Sequence, residues 1–317
     1  MTAPHGQKNK TPIRAVGFDW DETLFAIDRG KDFYMQSVTY GCKKALEAIG
    51  RPPETLERFK GLFDVFTAGE KGAKERDALV DDAAAMLALQ PTEREKFSAA
   101  FHYYYPHYRV SSDFTGKAHL IEGAIETLRF LNDQHIPFFI ASNFDQNVLR
   151  IQVRQALGED IMSNNDIEKK VLGHVDGNQP KPAPDMVLRG FKSLGITPDR
   201  HSTFFVGNSV ISDMPAAIRC GTMPILFTDK EMATKAPGQE ELEARNFSLE
   251  EPLKTLISRR NFDITKVQIT EKGNKTGEKV TSTHMIPMAQ DHAGLKEIFM
   301  RYIADFRAPE SQGQARA

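Results

Sequence analysis

The sequence predicts an α/β protein with a three-layer, Rossmann-like parallel sheet as its core and an inserted all-helical cap domain. Two observations carry this prediction. Short apolar runs alternate with segments of helical periodicity, which is the pattern of parallel strands joined by helices. In addition, the first run is followed by a segment of about 80 residues that has helical periodicity and no strand signal. A chain of 317 residues is long enough for both parts.

Four apolar runs are predicted to be the buried strands of the sheet. They cover residues 14–19, 137–142, 203–208 and 223–227. Helical periodicity predicts helices at 122–134, 145–157, 182–194 and 213–220. Three of the strands end in polar residues, namely Asp19, Ser142-Asn143 and Gly207-Asn208. Because ligands bind outside the carboxyl ends of the strands in such sheets, these polar residues indicate the expected functional site.

The helical segment is predicted to be a separate domain at residues 31–112, inserted into a core made of residues 12–30 and 113–250. Its predicted helices cover residues 32–48, 53–67, 71–88 and 91–105. Gly and Pro residues separate these helices. The aromatic segment Phe101–Arg109 is compatible with a substrate-binding wall, but helix packing accounts for it more simply.

Residues 251–307 are predicted to be a C-terminal extension. Two β-prone segments, 266–270 and 279–286, flank a turn rich in Gly and Lys and are compatible with a hairpin. Helices are predicted near 249–259 and at 291–306. The polar residues 308–317 are predicted to be a disordered tail. An interface and a brace on the core are both compatible with this extension.

Composition excludes several classes of protein. The net charge of −2 argues against a nucleic-acid binder that depends on bulk positive charge. No apolar stretch approaches the roughly 20 residues of a membrane helix, and the polar first eleven residues do not resemble a signal peptide. We therefore expect no membrane partner and a cytoplasmic location. Cys42 and Cys220 are too few for a disulfide framework, and we expect both to be buried.

Asp19 and Asp21 are the first candidate catalytic residues. They stand in Asp19-Trp20-Asp21-Glu22-Thr23, directly after the first predicted strand. Two carboxylates in such a position can divide the work, one attacking phosphorus and the other moving the proton of the leaving group. Their proximity tends to raise the pKa of one acid, which suits a general acid. A polar turn with a helix cap is the alternative interpretation.

Three later motifs have the chemistry of phosphate or cation binding. Ser142 and Asn143 precede a predicted helix, whose free N–H groups favour a phosphate. Lys181 stands among prolines that hold the backbone extended and stiff. Asn208 and Asp213 follow the third strand and supply oxygen ligands that suit Mg²⁺. Each motif also fits a structural role, either a helix cap or an exposed lysine.

Taken together, these motifs resemble the haloacid dehalogenase superfamily, and in particular its phosphoglycolate-phosphatase-like members. That superfamily has Asp-x-Asp-x-Thr after the first strand, Ser or Thr after the second, Lys before a later helix and an acidic pair after the fourth. The segments Lys181–Asp185 and Ile121–Leu128 also resemble that branch. The resemblance covers roughly residues 12–230. It implies a magnesium-dependent phosphatase that acts on a small phosphorylated metabolite.

The resemblance also implies a role for each matching residue. Asp19 attacks phosphorus and forms an aspartyl-phosphate, Asp21 protonates the leaving alcohol and then activates water, and Thr23 supports the loop. The residues implied to hold phosphate oxygens are Ser142, Asn143 (through its backbone) and Lys181. The implied ligands of Mg²⁺ are Asp19, the backbone carbonyl of Asp21, Asn208 and Asp213. Asp21 favours phosphate chemistry, because an alkoxide needs a proton to leave whereas a halide does not.

One departure from the family keeps other functions open. The family usually has Asp where this chain has Asn208, so we expect weaker binding of Mg²⁺. A catalytically weak or inactive protein of the same fold, which binds phosphate or a partner, is one alternative. A phosphotransferase or mutase, which passes the phosphate to a sugar, is another.

Overall fold

The computed structural model describes residues 13–27, 33–52, 73–114, 118–175, 179–228, 264–272 and 279–307. They belong to two compact units, a helical unit within residues 27–118 and a core unit made of the flanking segments. The helices predicted at 53–67 and near 249–259 lie outside the described residues, as does the predicted tail at 308–317. In the described ranges, no helix has both the length and the apolar character that crossing a membrane requires.

The strands confirm the predicted fold class. In chain order they are β1 (Ala15–Phe18), β2 (Phe25–Ile27), β3 (Ala118–Leu120), β4 (Phe138–Asp145), β5 (Val171–His174), β6 (Thr203–Gly207), β7 (Met223–Phe227), β8 (Ile264–Lys272) and β9 (Lys279–Ala289). The main sheet of the described residues has the order β5-β4-β1-β6-β7-β9-β8, and β2 pairs with β3 separately. All pairings in the main sheet are parallel except that of β8 with β9. The core is therefore a Rossmann-like α/β sheet.

Helices cover both faces of this sheet. In chain order, the helices of the described residues are α1 (Phe33–Ala48), α2 (Ala73–Met86), α3 (Pro91–His107), α4 (Ala124–Asp133), α5 (Gln146–Ala156), α6 (Asn164–Lys170), α7 (Asp185–Ser193), α8 (Asp213–Cys220) and α9 (His292–Arg307). Successive side chains of a strand point to opposite faces. Phe204 accordingly packs on Tyr302 of α9 (ring centroids 4.9 Å apart), whereas Phe205 lies in the cluster with Phe191 of α7. This gives the three predicted layers.

Some elements were not predicted. Strand β5 has only two strongly apolar residues, Val171 and Leu172, and is too short for its period to stand out. Helix α6 and the β2–β3 pair were also not predicted. Strand β4 continues to Asp145 with an irregular register after Ala141. Ser142 and Asn143, predicted to end this strand, therefore lie within its last, irregular part, and the strand ends at Asp145.

The C-terminal segment is part of the core unit. Strand β8 pairs antiparallel with β9, and β9 pairs parallel with β7 through Leu226–Met288 and Phe227–Ala289. Helix α9 follows directly and packs on α4. Residues 264–272 and 279–307 thus extend the sheet and cover one of its faces, a role that the sequence left open.

The helical unit has its own apolar core, formed by α1, α2 and α3. The predicted aromatic segment contributes to it: Phe101 is buried above Gly41, and the Tyr108 hydroxyl donates a hydrogen bond to Oε1 of Gln36 at 2.6 Å. Tyr103, by contrast, is 55% exposed. Packing therefore accounts for much of this segment. Cys42 of this unit is buried and unpaired, as is Cys220 of the core unit, as expected.

Candidate active site

The sheet topology brings the predicted site residues of the core unit to one edge. Strand β1 lies between β4 and β6, and all three run in the same direction. Asp19 follows β1, Ser142 lies in the last part of β4, and Asn208 follows β6. Lys181 lies in the segment between β5 and α7, and Asp213 is the first residue of α8. The carboxyl ends of parallel strands meet here, as the sequence predicted.

Asp19, Lys181 and Asp213 form a buried triad of charges. The Nζ atom of Lys181 lies 2.6 Å from Oδ1 of Asp19 and 2.6 Å from Oδ1 of Asp213. It also donates a hydrogen bond to the Ala141 carbonyl at 2.9 Å. The exposed fractions of the three residues are 6%, 4% and 1%. Two carboxylates therefore share one ammonium group, and the triad has a net negative charge.

This crowding changes the pKa values of the triad. Burial and the nearby Asp213 raise the pKa of Asp19 to about 7, although Lys181 acts in the opposite direction. Burial acts to lower the pKa of Lys181, but the two carboxylates outweigh it and leave that pKa raised. Lys181 therefore stays charged, and an additional positive charge beside Asp19 would favour its carboxylate form.

Gly207 permits the close approach of Asp213 to the end of β6. A Cβ atom at Gly207 would lie 2.5 Å from Cγ of Asp213, so a side chain there would displace the carboxylate. Oδ2 of Asp213 accepts a hydrogen bond from the Ser209 N–H at 2.9 Å. Asp213 is thus both the first residue of a helix and a member of the triad. The role of Gly207 in making room for it was not predicted from the sequence.

Asn143 holds the backbone of Lys181 with its side chain. Its Nδ2 donates to the Lys181 carbonyl at 2.9 Å, and its Oδ1 accepts from the Lys181 N–H at 2.7 Å. Two hydrogen bonds to one residue fix both the position and the orientation of that peptide. This side-chain contact was not predicted from the sequence, which gave Asn143 a role through its backbone alone.

Helix α5 begins close to its predicted start, but two of its first N–H groups are already hydrogen-bonded within the protein. The carboxylate of Asp145 caps this helix and accepts hydrogen bonds from the N–H groups of Asn147 and Val148, at 2.9 and 3.0 Å. These N–H groups are therefore already bonded. Of the groups predicted to bind phosphate at this point of the chain, Ser142 and the backbone of Asn143 remain. Ser142 is buried, and its Oγ accepts a hydrogen bond from the Phe144 N–H at 3.3 Å.

The loop after β1 contains Asp21 and Thr23. Asp21 is half-buried, and Thr23 is fully buried. Glu22 between them has a φ of +57°, a left-handed conformation that residues other than glycine rarely adopt. The Thr23 carbonyl lies 2.8 Å from Nε2 of His292, the first residue of α9. The sequence contained no local signal for this contact.

The oxygen donors at this edge fit a hard divalent cation. The described residues contain no cluster of three or more His, Cys, Asp or Glu side chains arranged for a metal. The predicted set instead combines Asp19 and Asp213 with the Asn208 amide and the Asp21 carbonyl. Mg²⁺ is usually bound by one or two carboxylates, with waters and phosphate oxygens completing its shell. The net negative charge of the triad favours such a cation.

Several solved structures are similar to this chain at low sequence identity. No curated protein matches the sequence. The fold is similar to a HAD-superfamily hydrolase from Ehrlichia chaffeensis, with 17% identity, 92% of this chain and 98% of that chain covered, and a TM-score of 0.42. A HAD hydrolase of family IA, variant 3, from Entamoeba histolytica is 20% identical, with 75% of this chain and 93% of that chain covered and a TM-score of 0.44. A predicted phosphoglycolate phosphatase from Haemophilus somnus is 19% identical, with 69% of this chain and 87% of that chain covered and a TM-score of 0.42.

The sequence matches one protein family over most of its length. The model of the haloacid dehalogenase-like hydrolases matches residues 13–221. This range includes every residue of the triad and parts of both segments of the core unit. It ends before β7, so the last strands and α9 lie outside the match. The match covers well over half of the chain, which therefore belongs to the haloacid dehalogenase-like hydrolase family.

Proposed function

We propose that this hydrolase is a magnesium-dependent phosphatase that cleaves a small phosphomonoester through an aspartyl-phosphate on Asp19. The observation that supports it best is the buried triad, in which Asp19 lies at the end of β1 in contact with Lys181. A carboxylate held beside a fixed ammonium group suits attack on a phosphorus atom whose oxygens are negative. A cytoplasmic location and the absence of nucleic-acid and membrane partners belong to the same proposal.

In the first step, an Oδ atom of Asp19 attacks phosphorus while the bond from phosphorus to the ester oxygen breaks. Asp21 donates its proton to that oxygen, and the alcohol leaves. In the second step, water attacks the phosphorus of the aspartyl-phosphate and Asp21 accepts the proton of that water. The bond from phosphorus to Asp19 then breaks, and inorganic phosphate leaves. Both carboxyl groups return to their starting protonation states.

Lys181 and Ser142 hold the phosphate in this proposal. The Lys181 ammonium group has three donors, and Asp19, Asp213 and the Ala141 carbonyl engage all of them. Lys181 must therefore exchange one of these contacts for a phosphate oxygen when substrate binds. Asp19, the Asp21 carbonyl, Asn208 and Asp213 would hold Mg²⁺. When bound, Mg²⁺ supplies positive charge that stabilises the phosphate oxygens and orients them for in-line attack.

The direct test is release of inorganic phosphate from an aryl phosphate, measured with Mg²⁺ and with a chelator. Metal-dependent release to water supports the proposal, and a panel of phosphorylated metabolites would then define the substrate. Transfer of phosphate to an added sugar, without release to water, would favour a phosphotransferase or mutase. Binding of metabolites without turnover at any Mg²⁺ concentration would favour the non-catalytic alternative. The function of the helical unit as a cap stays a prediction.

The Asn143→Ala substitution tests the contact between Asn143 and Lys181. We expect kcat to fall about tenfold or more, because the Lys181 peptide loses both hydrogen bonds that orient it. Asn132→Ala is a matched control, since Asn132 Nδ2 also donates to a backbone carbonyl, that of Ile161, at 3.0 Å. Both variants are expected to lose about 1 kcal/mol of stability or somewhat more. Equal kcat values for the two variants would contradict the positioning role of Asn143.

The Asn208→Asp substitution tests the predicted metal site. An added carboxylate gives the cation a charged ligand, so we expect the Mg²⁺ concentration for half-maximal activity to fall about tenfold. Without Mg²⁺, the same carboxylate adds to the negative charge near the triad and should lower the melting temperature. Asn132→Asp makes the same chemical change on α4 and should leave the Mg²⁺ dependence unchanged. An unchanged Mg²⁺ dependence in Asn208→Asp would exclude residue 208 from the site.

A further inference from the structure

His292 connects the C-terminal segment to the loop that contains Asp21. Its Nε2 atom lies 2.8 Å from the Thr23 carbonyl, although the two residues are 269 positions apart in the chain. The side chain is 1% exposed, and its ring packs against Phe227 with centroids 4.7 Å apart. Its own carbonyl accepts a hydrogen bond from the Thr127 hydroxyl at 3.3 Å. The imidazole therefore packs on Phe227 with Nε2 facing the loop, while the backbone of His292 is bonded to α4.

The direction of this hydrogen bond follows from the partner. A carbonyl oxygen can only accept, so Nε2 of His292 must carry the proton and donate it. Burial lowers the pKa of His292 to about 4, so the ring is neutral at neutral pH. A neutral ring with its proton on Nε2 is a donor of constant character across the working range of most enzymes.

The loop that receives this hydrogen bond has a strained turn. Glu22 has a φ of +57°, which a residue with a side chain adopts only when its surroundings hold it there. The turn is closed on one side by the Leu24 and Phe25 N–H groups, each 3.0 Å from the Trp20 carbonyl. The bond from His292 to Thr23 holds the same turn from outside the loop.

We infer that His292 is a positioning residue, which fixes the backbone of Thr23 and thereby the placement of Asp21 toward the reacting oxygen. This inference rests on the proposed function, in which Asp21 is the general acid and base. It gives the chain beyond residue 221, outside the family match, a part in catalysis. The general acid must lie within hydrogen-bond reach of the leaving oxygen, so a small displacement of the turn reduces proton transfer strongly.

Two substitutions of His292 separate positioning from packing. His292→Leu places an apolar side chain of similar size at this position and removes the donor. We expect kcat to fall about ten- to a hundredfold, with KM changed by no more than about twofold. His292→Gln restores an N–H donor and should recover most of this loss. The assay is phosphate release from an aryl phosphate by the full chain with Mg²⁺, with the melting temperature measured in parallel.

Tyr302→Phe is the matched control. The Tyr302 hydroxyl donates to the His201 carbonyl at 2.8 Å, so this change also removes one hydrogen bond from α9 to a backbone carbonyl, but away from the loop. We expect Tyr302→Phe to retain the kcat of the unsubstituted protein. If Tyr302→Phe and His292→Leu lower kcat equally, α9 acts only through stability and the inference is wrong. The inference is also wrong if His292→Leu retains full kcat.

Hydrogen exchange separates this inference from the proposed function. In His292→Leu, the amides of residues 20–25 should exchange faster than in the unsubstituted protein, whereas Tyr302→Phe should leave them unchanged. This readout does not depend on turnover. If exchange is faster in His292→Leu but the unsubstituted protein releases no phosphate, the structural contact stands and the phosphatase proposal is refuted. Unchanged exchange in His292→Leu would refute the positioning role even in an active enzyme.

Discussion

Asp19→Asn is expected to abolish turnover, with a fall in kcat of at least about a thousandfold. An amide nitrogen or amide oxygen cannot replace the carboxylate that forms the bond to phosphorus. The fold should be unaffected, because Asn has the same shape and its carbonyl oxygen can still accept from Lys181, which lies 2.6 Å from Oδ1 of Asp19. The loss should therefore appear in catalysis and not in the amount of folded protein.

Phosphate release and intact-protein mass are the measurements for this prediction. The unsubstituted protein, stopped during turnover, should contain a fraction with the added mass of one phosphate group, and Asp19→Asn should contain none. Asp133→Asn makes the same acid-to-amide change at an exposed position of α4 and should keep full activity. Robust phosphate release by Asp19→Asn would refute the assignment of Asp19 as nucleophile.

The same substitution should stabilise the metal-free protein. Folding raises the pKa of Asp19 from 3.8 to about 7, because the site is buried and Asp213 is close. The folded state then holds the proton more tightly than the unfolded state, so stability is present at low pH and is lost as pH rises from about 4 to about 7. Asp19→Asn lacks this loss. In the presence of a chelator, the melting temperature of Asp19→Asn should exceed that of the unsubstituted protein by more near pH 8 than near pH 4.

Lys181→Met is expected to destabilise the protein by about 3–5 kcal/mol, because it leaves two buried carboxylates without their shared cation. Asp19 and Asp213 both contact Nζ of Lys181 at 2.6 Å, so their oxygens would face each other across an apolar side chain. Activity should also fall about a hundredfold or more, since a fixed positive charge next to the phosphate is lost. Chemical unfolding and phosphate release are the two measurements.

Lys170→Met is the control for this second prediction. Lys170 pairs with Asp166 at 2.7 Å, but on the surface of α6, one helical turn apart. Such a pair contributes about 0.5 kcal/mol or less. In the double variant, Asp213→Asn combined with Lys181→Met should recover much of the stability that Lys181→Met alone loses, and none of the activity. A Lys181→Met protein as stable as the Lys170→Met protein would contradict the buried triad.

The elements were predictable where their own residues report on burial. Strands β1, β6 and β7 are buried along their whole length, and each appears in the sequence as an apolar run. The helices α1 and α8 were predicted close to their observed limits from helical periodicity. Strand β5 was missed because its burial comes from the neighbouring β4 and the helices around it, and four residues contain too little periodicity to show it.

The sequence by itself determined the fold class and the set of chemical groups at the candidate site, because strand ends and short motifs are local patterns. Only the tertiary structure decided which of these groups touch. Lys181 reaches Asp19 across 162 positions, Asn143 holds Lys181 across 38, and His292 reaches Thr23 across 269. No local periodicity records such contacts. They arise when the sheet brings the strand ends to one edge and the C-terminal helix packs beside them, so the packing of whole elements determines how the site is held.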